Sequence, residues 1–130
     1  MADTVAVVED EPYIAELLEF LVGSTGREVR VFPTGAQARA YFQEQKFVES
    51  GSPKMVVLDL MMPNDDGEQL YDDYLKPGSG WLGGRPKVLV LSAVGQPQVR
   101  DRLLAAGADG FMTKPFANEA FLAEVERLCG

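Results

Sequence analysis

The sequence predicts an α/β domain: a five-stranded parallel sheet with helices on both faces. Three observations predict it. Apolar runs alternate with amphipathic segments five times along 130 residues. Two of the runs, Met55-Val56-Val57-Leu58 and Val88-Leu89-Val90-Leu91, are apolar throughout, the pattern of strands buried on both faces. Polar residues stand at the ends of four of the five runs: Glu9-Asp10, Asp59 and Ser92 directly, and Lys114 after Thr113.

Composition narrows the function classes. The length suits one domain over residues 1–130, with enough chain for a real core. Hydrophobic residues make up 46% and charged residues 25%, as in a globular protein. The net charge of −8 argues against stand-alone nucleic-acid binding. Histidine is absent, which excludes a histidine-based triad, histidine metal ligands and a phosphohistidine on this chain. The single cysteine, Cys129, permits no intrachain disulfide and fits a reducing compartment. Its one basic neighbour in sequence is Arg127, so an activated thiol is not expected. No apolar run reaches membrane-spanning length and no signal peptide opens the chain, so a cytoplasmic protein without a membrane partner is expected.

The elements follow in order. Thr4-Val5-Ala6-Val7-Val8 is a buried strand running into Glu9-Asp10-Glu11. Pro12 opens a helix, where its missing N–H is harmless. Ile14, Leu17, Leu18 and Leu21 give that helix a core stripe, and residues 23–26 end it. Residues 28–32 alternate Val29 and Val31 with charges, a strand nearer water. Thr34 and Gln37 have capping-box spacing. The helix over 35–47 turns Ala36, Ala40 and Tyr41 inward. Residues 49–54 form a loop. The third strand ends at Asp59, Pro63 leads out, and residues 64–67 turn into a helix over 67–75. Residues 76–86 hold four glycines and two prolines, a soft connection, with Trp81 as its anchor. The fourth strand ends in Ser92-Ala93. Pro97 opens a helix with Val99, Leu103 and Ala106 inward, stopped by Gly107. Residues 110–112 form the fifth strand. Asn118 caps a last helix that buries Phe121, Leu122, Val125 and Leu128.

In a parallel sheet all strand C-termini share one edge, and ligands bind in the crevice there. A lone Asp at a strand end caps the next turn. Glu9, Asp10, Asp59, Ser92 and Lys114 arriving together need more than capping. Three close carboxylates repel, and one takes a proton unless a cation intervenes. All-oxygen ligands select a hard ion, Mg²⁺ before Mn²⁺ or Ca²⁺. Lys114 and the Ser92 hydroxyl supply donors to an anion, and Ala93 lets its backbone N–H approach one. With its charge offset, the Asp59 carboxylate suits nucleophilic attack on a phosphoryl group.

These motifs resemble the receiver domains of bacterial two-component response regulators. The resemblance rests on Val7-Val8-Glu9-Asp10-Glu11-Pro12, Val57-Leu58-Asp59-Leu60-Met61-Met62-Pro63, Asp66-Gly67, Leu91-Ser92-Ala93 and Gly107-Ala108-Asp109-Gly110-Phe111-Met112-Thr113-Lys114-Pro115-Phe116. It covers essentially the whole chain, and the ordered set is far more specific than any one motif. It implies the flavodoxin-like (CheY-like) strand order 2-1-3-4-5. It implies that Asp59 accepts a phosphoryl group from a partner histidine kinase or histidine phosphotransfer protein. Glu9, Asp10, Asp59 and the backbone carbonyl of Met61 would hold Mg²⁺. Ser92, Ala93 and Lys114 would contact the phosphoryl group. Ser92 and Phe111 would then move, reshaping the face made by the fourth helix, fifth strand and fifth helix. The chain would catalyse only its own phosphorylation and dephosphorylation. The Lys114-Pro115 bond would be cis. Met61 and Val94 would control water access, and their apolar character implies slow dephosphorylation.

Departures from the family pattern are Glu9 in place of an Asp, Phe111 without a tyrosine hydroxyl, and the glycine-rich 76–86 connection. The output partner or fused output domain is not readable. A homodimer formed on phosphorylation is compatible with the family, but Arg100, Arg102, Glu119 and Glu126 assign no mode. A haloacid-dehalogenase-type phosphohydrolase would need an Asp where Met61 stands. A flavin module would need a hydroxyl- and glycine-rich loop where Glu9-Asp10-Glu11 stands. A receiver-like docking module that no longer takes phosphate is the third alternative.

Overall fold

β1 (Thr4–Val8), β2 (Glu28–Phe32), β3 (Met55–Asp59), β4 (Lys87–Ala93) and β5 (Gly110–Lys114) form one parallel sheet in the order β2-β1-β3-β4-β5. The structure is a computed structural model and describes residues 3–62, 67–93 and 97–130. Pro63, the turn residues Asn64, Asp65 and Asp66, and Val94 lie outside the described residues.

Alternation along each strand divides the core in two. Val5, Val7, Met55, Val57, Leu89 and Leu91 pack under α1 (Pro12–Gly23) and α5 (Asn118–Cys129). Ala6, Val8, Val56, Leu58, Val88 and Val90 face α2 (Gly35–Gln45), α3 (Gly67–Leu70) and α4 (Pro97–Ala105). β3 is buried at every position, because strands pair on both its edges and helices cover both its faces. β2 is the outer strand beyond β1, and its alternating sequence fits that half-exposed place.

Several local expectations shift. The inner face of α2 is Ala38 and Phe42, and Ala36 and Ala40 point outward. Phe42, fully buried with its ring against Trp81 and Tyr74, sets the rotation of that helix. On α1, Leu18, Leu21 and Val22 are buried, whereas Leu17 is exposed. α4 ends at Ala105, and Ala106 faces outward; its carbonyl accepts a 2.9 Å bond from the Tyr71 hydroxyl. Asn118 is the first residue of α5 rather than its cap; Ala117 holds the cap position and offers no side-chain acceptor. Of the expected capping box, the Thr34 half forms: Thr34 Oγ1 accepts from Gln37 N at 3.1 Å, while Gln37 Oε1 meets the Thr34 hydroxyl at 3.2 Å.

The helix after β3 changes character midway. From Tyr71–Leu75 it is π-helical, and Lys76 N donates to Tyr71 O at 3.0 Å. Tyr71 and Arg85 organise this bend. Arg85 donates to the carbonyls of Leu75 (2.6 Å) and Gly107 (3.0 Å) and pairs with Asp109 at 3.1 Å. The 76–86 connection is therefore tied down rather than loose. Trp81 anchors it as expected: the side chain is buried and its Nε1 donates to Tyr74 O at 2.6 Å.

Candidate functional site

Parallel register sets where the polar residues emerge. Asp59 lies beside Leu91, Ser92 beside Thr113, and Ala93 beside Lys114. Val8 pairs with Leu58, so Glu9 comes level with Asp59 at the end of β3 and Asp10 lies one residue beyond. Chain folding thus brings three acids to one edge of the sheet. One carboxylate oxygen from each of Glu9, Asp10 and Asp59 falls in a cluster whose members all lie within 4.8 Å of one another.

The acids differ in surroundings. Glu9 and Asp59 are each 1% exposed, while Asp10 is the accessible member. Lys114 reaches in from the end of β5. Its Nζ donates to Glu9 Oε1 at 2.8 Å and lies 3.2 Å from Asp59 Oδ2. Glu11 N donates to Glu9 Oε2 at 3.2 Å, and Met61 N donates to Asp59 Oδ1 at 2.9 Å. Asp59 Oδ2 is buried and, despite its ion-pair distance to Lys114, receives no aligned hydrogen bond among the described residues.

Burial pushes the Glu9 carboxyl up to about 7, helped by the neighbouring Asp59 carboxylate and opposed by Lys114. Burial works against the Lys114 charge, but bonding to Glu9 and the attraction of both carboxylates outweigh it and raise its pKa. One ammonium does not fully compensate three carboxylates. A hard divalent cation matches what is left: all-oxygen donors, one of them buried without a hydrogen bond.

A cavity of about 580 Å³ opens over this cluster. Glu9, Asp10, Asp59, Met61, Ala93 and Lys114 line its polar side, and Ile14, Leu17, Pro115 and Phe116 line the other. The Lys114-Pro115 peptide is cis, as the resemblance implied. Ser92 stands apart: its hydroxyl is buried without a hydrogen-bond partner among the described residues, and its side chain is not in the lining. Phe111 is half-buried against the core under α4. The sequence reading missed two contributors. Leu17, expected inside, forms the rim instead. Glu11 caps α1 by accepting from Tyr13 N at 3.1 Å, a role its place one residue before Pro12 signals.

The family model described as "Response regulator receiver domain" matches residues 5–126. The chain is 31% identical over 133 residues to the phosphate regulon transcriptional regulatory protein PhoB of Rhizobium meliloti, covering 98% of this chain and 52% of that protein. It is 36% identical over 121 residues to the transcriptional regulatory protein KdpE of Mycobacterium tuberculosis, covering 93% of this chain and 48% of that one. The chain thus spans about half the length of these curated relatives. Among solved structures, a response regulator receiver protein from Burkholderia phymatum superposes with a TM-score of 0.78 at 26% identity, covering 98% of this chain and 95% of that one. The signal receiver domain of a Luxo repressor protein from Vibrio parahaemolyticus shares the fold, with a TM-score of 0.82 at 22% identity and coverage of 99% and 91%. The chain belongs to the response regulator receiver domain family of two-component signalling.

Proposed function

We propose that Asp59 is the phosphoacceptor of a signalling switch, taking its phosphoryl group from a histidine of a kinase or phosphotransfer protein. The observation that carries this reading is the pairing at Asp59. Met61 N holds Oδ1 at 2.9 Å, while Oδ2 has no hydrogen bond among the described residues and lies 3.2 Å from the Lys114 ammonium. Oδ2 is then the attacking oxygen. An O–P bond forms there as the donor's N–P bond breaks, and the histidine nitrogen leaves with its electron pair.

Glu9, Asp10, Asp59 and the Met61 carbonyl would hold Mg²⁺, which when bound offsets charge on the phosphoryl oxygens. Lys114 shifts from its carboxylate partners toward those oxygens. The unpartnered Ser92 hydroxyl and the Ala93 N–H turn to the same group. Ser92 leaving its buried place makes room for Phe111 to move inward, which alters the face of α4, β5 and α5. Leu17 lines the cavity, and Tyr13 and Phe20 are exposed on the same helix; together they offer apolar surface to the phosphodonor. The output is a partner protein or a further domain, reached without contact between this domain and nucleic acid.

Incubation with a small-molecule phosphodonor and Mg²⁺, read by intact mass, tests the reading. One phosphoryl group is expected on the wild type and none on Asp59→Asn. An unmodified wild type, with the substitution silent in the cell, would favour the docking-module alternative.

A further inference from the structure

Loops 46–54 and 76–86, with Lys87 at the start of β4, meet at the end of the sheet opposite Asp59. Leu82 N donates to Lys46 O at 2.9 Å. A Cβ added at Gly83 would stand 2.3 Å from the Glu49 carbonyl oxygen, so the two backbones touch there. Buried Trp81 fastens the second loop to the core. The joined loops form one platform, and a preorganised surface loses little entropy on binding.

Two features of this platform go against the rest of the molecule. First, charge: the two segments hold Lys46, Lys54, Lys76, Arg85 and Lys87 against a single acid, Glu49, in a chain of net −8. Lys76 and Arg85 pair with Asp72 and Asp109. Lys46, Lys54 and Lys87 have no carboxylate within ion-pair distance among the described residues. Second, exposure: Phe47 is 72% exposed, Leu82 64% and Val48 42%. Beside them a cleft of about 760 Å³ is lined in part by Lys54, Gly83 and Lys87, with Asp3, Glu28 and Arg127 also in its lining. Exposed apolar groups beside unpaired cations mark an interaction surface.

We propose that this platform docks an acidic polypeptide segment carrying apolar anchors. The charge balance selects the occupant. A membrane surface or a duplex presents anions over an area wider than the platform, so the remaining negative charge of the domain repels it within about 8 Å. A short peptide meets only the local field, where Lys46, Lys54 and Lys87 make no ion pair among the described residues. The proposal is independent of phosphorylation at Asp59, which lies at the other end.

Selection from a short-peptide display library on the whole domain tests it, with amide-shift mapping of the selected peptides. Binders enriched in Asp and Glu with spaced Leu or Phe are expected, shifting amides at 46–48 and 82. Lys46→Glu/Lys87→Glu and Phe47→Ser/Leu82→Ser each weaken them by about tenfold or more, and the first removes most of the salt dependence. Phe47, Leu82 and Lys87 are exposed and Lys46 is half-buried, and unchanged thermal melts certify the fold. The proposal fails if no peptide is enriched, if the selected peptides are basic or neutral, or if they map to α1. It also fails if charge reversal leaves their affinity unchanged. Equal or stronger retention on phosphatidylserine vesicles or duplex DNA would assign the surface to those partners instead.

Discussion

Lys114 Nζ donates a 2.8 Å bond to Glu9 Oε1 across 105 positions of sequence, joining the end of β5 to the end of β1. Both side chains are largely withdrawn from water, at 15% and 1% exposure. The same ammonium lies 3.2 Å from Asp59 Oδ2. Before any metal or phosphate arrives, Lys114 is the countercharge of the cluster, so its effects on stability and on signalling should separate.

Lys114→Ala should destabilise the metal-free domain by about 3 kcal/mol, because it leaves two buried carboxylates without their cation. Saturating Mg²⁺ should restore part of the loss, since a ligand that binds only the folded state stabilises it. Urea unfolding with chelator and with Mg²⁺ measures both. In the Mg²⁺-loaded variant, phosphate-dependent NMR shifts around Phe111 should disappear; shifts equal to wild type would deny Lys114 its coupling role.

Glu9 sets a pH dependence. Its folded-state value, about 7, lies above the ordinary 4.5. The folded state therefore holds this proton more tightly than the unfolded state. The associated stability is fully present below pH 4.5 and is lost as pH rises through 7. The loss amounts to at most about 3 kcal/mol, from 1.36 kcal/mol per unit. Subtracting the stability–pH curve of Glu9→Gln from wild type, in chelator, isolates it. A flat difference between pH 4.5 and 7 would show that Glu9 is not the group responsible.

Trp81→Ala should cost about 3 kcal/mol or more, through a cavity against Phe42. Trp81→Phe should cost about 1–2 kcal/mol, since it leaves the Tyr74 carbonyl without its 2.6 Å donor. Denaturant midpoints rank the pair; an unchanged midpoint for Trp81→Phe would remove the hydrogen bond from the account, and equal costs for both would remove the cavity.

Phosphorylated Asp59 should hydrolyse slowly. Met61, which lines the cavity and is half exposed, carries no group to orient an attacking water. A half-life of hours is expected for the purified phosphoprotein. Seconds would place a water-activating group at the site and refute the gating role of Met61.

How much of this was readable in the chain depends on the range of the forces involved. β3 and β4 declared themselves because a strand buried on both faces needs apolar residues throughout. The acids were readable because strand direction alone carries Glu9, Asp10 and Asp59 to one edge. The rotation of α2 was not, because alanines at 36, 38 and 40 fit either face, and only the Phe42–Trp81 contact decides. The π-helical Tyr71–Leu75 stayed hidden for the same reason: Arg85 and Ala106, remote in sequence, hold it in place. The Lys114–Glu9 pair belongs to this class too. Its partners were named as ligands, while their bond to each other is a product of register.

The central claim is that one carboxylate, Asp59, takes the phosphoryl group, and only when the acidic cluster is loaded with metal. The most direct measurement treats the wild type with a small phosphodonor, with Mg²⁺ or with chelator, then traps the acyl phosphate by borohydride reduction. Peptide mapping then locates the reduced residue. One modified site at Asp59, present with Mg²⁺ and absent with chelator, is the predicted result. Modification at another residue, or equal modification without the metal, would contradict it.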